Sequence, residues 1–106
     1  MPDLDDKKNE TDRSMTDTVT RELKIINEKG LHARASARFV EVVEGFDARA
    51  EVRRDGMSAS GDSIMGLLML AASKGTSIEV QTSGPDATAL ADALGALVAD
   101  RFGEEC

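Results

Sequence analysis

The chain has no tryptophan and no tyrosine, and only three phenylalanines among its 106 residues. Aromatic platforms on which single-stranded bases stack are therefore missing. Charge excludes nucleic acid a second time. The formal net charge is −7 and the sequence pI about 4.6, opposite to what a phosphate backbone attracts. The one cysteine, Cys106, is the last residue. An internal disulfide and a thiol-based metal site are thus impossible, which fits a reducing compartment. One histidine, with no second imidazole and no thiol pair, makes a metal centre a poor reading. There is no GxGxxG and no P-loop, so no bound nucleotide and no cofactor is expected. No nucleophile-elbow pattern supports a hydrolase. The N-terminus lacks the apolar core of a signal peptide, and no apolar run is long enough to cross a bilayer. The expectation is a cytoplasmic, monomeric, soluble protein with one core.

What is present begins with "MPDLDDKKNETDRSMT", charged and nearly free of apolar residues. It buries too little to offset its ordering entropy, so residues 1–16 read as a disordered acidic tail and 17–106 as the domain. Met15, just before the first ordered-looking residue, is an alternative start. Beyond it, hydrophobic periods of two and 3.6 alternate. "VTRELKII" sets Val19, Leu23 and Ile25 on one face, with Arg21 as the flaw in a strand. "ARASARFVEVVEG" reads as a helix with Phe39, Val40 and Val43 apolar and Gly45 as its C′ terminator. "ARAEVR" alternates, Asp55-Gly56 marks a hairpin, and "MSAS" returns. "SIMGLLMLAASKG" predicts a second helix running to Gly75, and "TSIEVQT" a fourth strand with Ile78, Val80 and Thr82 on one face. "GPDATALADALGALVADRF" predicts a third helix, with Pro85 at N1 and a stripe of Leu90, Leu94, Leu97, Val98 and Phe102. The order β-α-β-β-α-β-α, with one apolar face per strand, predicts an α+β open-faced sandwich: a four-stranded antiparallel sheet with three helices on one face.

The single histidine, His32, sits in "GLHARAS" where the first helix begins. Free N–H groups of a helix's first turn favour negative charge and form a natural phosphate site. Arg34 falls in that turn, and a guanidinium binds phosphate through paired hydrogen bonds. A neutral imidazole is a competent nucleophile. Together these residues describe a place to make and hold a phosphohistidine. A lone histidine at a helix start is more often a plain surface residue.

"GLHARAS", then "GDSIMGLLML" and "SKGTSIEVQTSGPDATAL", in that order from about Val19 to Phe102, resemble the HPr family of phosphocarriers of the phosphoenolpyruvate-dependent phosphotransferase system. The resemblance implies the same open sandwich. It implies that His32 matches the histidine phosphorylated on Nδ1 by enzyme I, and that Arg34 matches the arginine assisting the phosphate. Ser63 matches the serine that an HPr kinase/phosphorylase modifies in many members. The family usually has proline after the arginine; Ala35 stands there instead, which removes no chemical group. "GFDA", "LLML" and "GTSIEVQTSGP" look like the nitrogen-related (NPr) branch, whereas "SIMG" looks like the sugar-uptake branch.

Ser63 is also a good N-cap in its own right. Six of the seven residues from Ile64 to Leu70 are apolar, more than one buried stripe can use. Leu67, Leu70 and Ala71 suit the buried side. Ile64, Met65 and Leu68 are then left as an exposed docking patch. The resemblance implies enzyme I and IIA-type proteins as its partners, and a stoichiometric carrier rather than an enzyme. Two rival readings remain: an adapter that binds proteins according to its phosphorylation state, and an α+β binding domain of unrelated function.

Overall fold

The computed structural model describes residues 18–105. The tail expected over 1–16 and the terminal Cys106 lie outside the described residues. Strand β1 spans Thr18–Lys24, helix α1 Ala33–Glu44, β2 Arg49–Arg54, β3 Met57–Ser60, helix α2 Ile64–Met69, β4 Ser77–Ser83 and helix α3 Ala87–Ala99. A 3₁₀ turn, Arg101–Gly103, follows. The sheet order is β1-β4-β2-β3 and every pairing is antiparallel. Helix α3 lies over β1 and β4, α2 lies against β3, and α1 packs on both of them. The open-faced sandwich expected from the periodicity is the fold observed.

Alternation decides which face is covered. Ile78, Val80 and Thr82 of β4, with Ala50 and Val52 of β2, are buried under the helices. Glu51, Arg53, Glu79 and Gln81 point to the open face, where Arg53 bonds the other three at 3.2–3.3 Å. Arg21, the apparent flaw of β1, is on the helix side with Val19 and Leu23. It is tolerated because β1 is an edge strand: the guanidinium reaches out to Asp92 of α3 at 2.9 Å. Phe39 and Leu94 are fully buried in the core, each worth about 1.5–3 kcal/mol.

Five local expectations are corrected. Helix α2 stops at Met69, not near Gly75. Its continuation is prevented because Leu70 O accepts from Arg54 Nη1 at 3.0 Å and Ala72 O from Leu31 N–H at 2.9 Å, with Ala71 turned to φ +50°. Ala71 is consequently exposed and Ala72 takes the buried place. Pro85 precedes α3 instead of occupying its N1; Asp86 is the N-cap, and its carboxylate accepts from Asp47 N–H at 2.9 Å. Gly45 ends α1 in the right-handed region (φ −83°), its N–H bonded to Val42 O at 3.0 Å, so no left-handed terminator is used. Phe102 belongs to the 3₁₀ turn rather than to α3, yet is fully buried.

Candidate functional site

The loop from Asn27 to Leu31 fixes where α1 starts. Gly30 has φ +66°, and its backbone lies so close to Ala72 that a Cβ would stand 2.5 Å from Ala72 O. Leu31 is buried, and its N–H to Ala72 O ties the loop to the segment after α2. His32 follows with extended backbone (φ −80°, ψ −175°) and is the N-cap of α1. Its carbonyl accepts the first helical bond, from Ser36 N–H at 2.8 Å. Its ring does a cap's work too: Nδ1 accepts from Arg34 N–H at 3.3 Å. The helix start expected at His32 is thus observed, and His32 caps it with both backbone and side chain.

Arg34 is exposed, and among the described residues its guanidinium forms no hydrogen bond or ion pair. Ala35 is fully buried in the same turn. First-turn N–H groups have no intrahelical acceptor, so an alanine there in place of proline leaves the helix ladder unchanged.

The other ring nitrogen, Nε2, is hydrogen-bonded to Glu104 Oε2. The second Glu104 oxygen accepts from Asn27 Nδ2 at 3.0 Å, and the same Asn27 nitrogen donates to Gly30 O at 2.9 Å. Burial pushes the Glu104 carboxyl up. The hydrogen bonds from Asn27 and His32 outweigh that, helped by electrostatic attraction to the His32 ring and to Lys29, and hold it below its ordinary range. Glu104 reaches the ring because the chain leaves α3 through a left-handed turn: Arg101, Phe102 and Gly103 have φ of 56°, 55° and 81°. The two non-glycine residues each cost about 1–2 kcal/mol there, offset in part by complete burial of the Phe102 ring. Neither Asn27 nor Glu104 was singled out from sequence.

Ser63 is the N-cap of α2, its Oγ accepting from Gly66 N–H at 3.0 Å. Of the expected patch, Ile64 and Met65 are 40% and 68% exposed, whereas Leu68 is only half-exposed. Met69 is exposed instead, because the helix ends there. Among the described residues no group of three or more acidic, histidine or cysteine side chains is placed to hold a metal, and no helix is long and apolar enough to cross a membrane.

Comparison with known proteins gives this geometry a context. The sequence model of a family described as the PTS HPr component phosphorylation site matches residues 19–100. The chain is 45% identical over 86 residues to phosphocarrier protein HPr of Cupriavidus necator, covering 81% of this chain and 97% of that one. It is 38% identical over 89 residues to phosphocarrier protein NPr of Escherichia coli K12, covering 83% and 99%. The crystal structure of HPr-C-His from Thermoanaerobacter tengcongensis superimposes with a TM-score of 0.79 at 33% identity, covering 83% of this chain and 99% of that one.

Proposed function

Since the chain belongs to the HPr family of phosphocarrier proteins of the phosphotransferase system, we propose that His32 is its phosphorylated residue, taking a phosphoryl group on Nδ1 from enzyme I and passing it to a histidine of a IIA-type protein. The observation that carries this is the capping geometry. Nδ1 already occupies the acceptor position of a helix N-terminus, on the Arg34 N–H. A phosphoryl group on that atom places its oxygens among the same first-turn donors, beside the exposed Arg34 guanidinium. The protein is a stoichiometric carrier; the chemistry of donor and acceptor belongs to its partners.

Ser63 is the proposed regulatory site. A phosphate on its Oγ adds about −1.5 to −2 charges directly beside exposed Ile64 and Met65. A partner docking on that patch, with Leu68 at its margin, would have to desolvate the charge or meet it with a positive group. Phosphorylated Ser63 therefore slows the reaction at His32 while leaving the fold intact.

The test is labelling by phosphoenolpyruvate and enzyme I. Wild type should acquire acid-labile, base-stable phosphate. His32→Ala should acquire none, at nearly unchanged melting temperature. Arg34→Ala should slow transfer, and Arg34→Lys should restore it only partly, since lysine keeps the charge but loses the planar paired donors. Labelling retained in His32→Ala would remove His32 from the assignment.

A further inference from the structure

We propose that Glu104 is a positioning residue for His32: it holds the ring proton on Nε2 through the whole phosphoryl cycle and leaves Nδ1 as the nitrogen with the lone pair. The proposal rests on His32 being the phosphorylated residue.

Two contacts on one ring require the same tautomer. Nδ1 accepts from a backbone N–H, which only an unprotonated nitrogen can do. Nε2 meets a carboxylate oxygen, an acceptor, so Nε2 carries the hydrogen. Neutral imidazole has one nitrogen of each kind, and both neighbours select the same assignment.

The carboxylate is held in place from three sides. Phe102, fully buried, anchors the left-handed turn that carries it. Glu104 N–H closes that turn on Arg101 O at 2.9 Å, and the Arg38 guanidinium lies against Gly103, where a Cβ would collide with it. Asn27, itself fully buried, donates to Glu104 Oε1 and to Gly30 O. Both those neighbours are acceptors, so the amide NH₂ must face them. Its carbonyl oxygen is left buried with no hydrogen-bond partner among the described residues. Leaving a buried acceptor unmet is unfavourable, and here it is the consequence of aiming the amide at Glu104.

The chemistry then balances without a proton moving. In acceptance, the Nδ1 lone pair forms the N–P bond, and the donor's bond to phosphorus breaks with its electron pair staying on the donor. Nε2–H is retained, so the ring becomes a phosphoimidazolium with its positive charge beside the Glu104 carboxylate. The Arg34 N–H, released from Nδ1, is free for a phosphoryl oxygen. In delivery, the N–P electrons return to Nδ1 as the acceptor's nitrogen takes the phosphorus, and the neutral Nε2–H ring is restored. Glu104 therefore supplies the counter-charge of the cationic, transfer-ready form.

The test compares wild type, Glu104→Ala and Glu104→Gln, well below all three melting temperatures. In wild type labelled with ¹⁵N-histidine, the His32 Nε2–H should appear as a downfield proton protected from exchange. In Glu104→Ala that signal should be lost, and phosphoryl acceptance from enzyme I should slow by about tenfold or more, the scale of a lost charge-assisted hydrogen bond. Glutamine keeps the side-chain volume but has one acceptor oxygen for two donors, so its rate should fall between. Absence of the Nε2–H signal in wild type, or wild-type transfer by Glu104→Ala, overturns the role of Glu104. Failure of wild type to take up phosphate at all is a separate result: it sinks the carrier reading, and this one with it.

Discussion

Replacing Gly30 by alanine perturbs the site without touching any group that does chemistry. Two effects add. At φ +66° an L-residue costs about 1–2 kcal/mol, reduced by about 0.4–1 kcal/mol because alanine also restricts the unfolded chain. The new Cβ would then meet Ala72 O at 2.5 Å and Ser73 Cα at 2.9 Å, both backbone atoms that cannot rotate away. Relieving such overpacking costs about 1–3 kcal/mol, and the shift acts on the Leu31 N–H to Ala72 O bond beside it. The sum is about 1–4.5 kcal/mol. For a domain of this size that lowers Tm by about 4–35 °C. Gly56→Ala is the matched control: φ is +79°, but nothing lies within 4 Å of the added Cβ. Only the backbone cost remains, about 0–1.6 kcal/mol after the unfolded-state correction, or up to about 6–13 °C. Thermal melts by circular dichroism, with urea titrations to confirm the free energies, read both. Equal losses in the two variants would refute the claim that the close approach to Ala72, and not the left-handed backbone, makes glycine necessary at position 30.

Two further outcomes follow from contacts already described. Ser63→Ala removes the acceptor of Gly66 N–H and should cost about 1 kcal/mol, whereas Ser63→Asp keeps a capping oxygen and should melt near wild type; equal falls in both would show that the cap is not what Ser63 contributes. Glu104, whose carboxyl is lowered on folding, stabilises the fold at pH above the ordinary carboxylate range and loses that contribution as pH falls through its folded value. The stability gap between wild type and Glu104→Ala, measured by urea titration, should therefore narrow on acidification below pH 4.5, and a gap that widens would reverse the sign of the argument.

What could be read from the sequence was what depends on neighbours along the chain. The period of two in "SIEVQT" placed Ile78, Val80 and Thr82 under the helices because a pleated strand leaves no other choice. Asp55 and Gly56 signalled a hairpin, and both have positive φ, 49° and 79°. His32 was legible at a helix start because an alanine-rich run with Phe39, Val40 and Val43 on one face follows it. What stayed hidden depends on contacts made across the fold. The end of α2 is set by Arg54 and Leu31, which capture the carbonyls of Leu70 and Ala72; nothing in "LLMLAASKG" announces it. Glu104 is 72 positions from His32. It arrives through two left-handed residues, an arginine and a phenylalanine, neither of which favours that conformation. A pattern reader extends α3 straight through Phe102 and sends the carboxylate elsewhere. Local chemistry and the family resemblance both pointed to His32 and Arg34; the partners on the far side of the ring depend on contacts that only the folded chain creates.

The two sides of that ring differ in a way that suits a transferable group. The Nε2 side is closed: the Glu104 side chain is 16% exposed and is tied to a fully buried asparagine. The Nδ1 side is open: Arg34 is exposed and unpaired among the described residues, and the bond from its N–H is a long 3.3 Å. Interactions made in water with exposed charges are screened and individually weak. A phosphoryl group held mainly by such contacts is stabilised enough to sit on the ring without being trapped there. Every additional buried donor on that side would lower the phosphorylated state more than the transition state for release, and would slow the second transfer. Rigidity is therefore useful where the proton must stay, and costly where the phosphorus must leave. The His32 ring sits with Nε2 turned into the fold and Nδ1 on the open side, the arrangement the proposed carrier role requires.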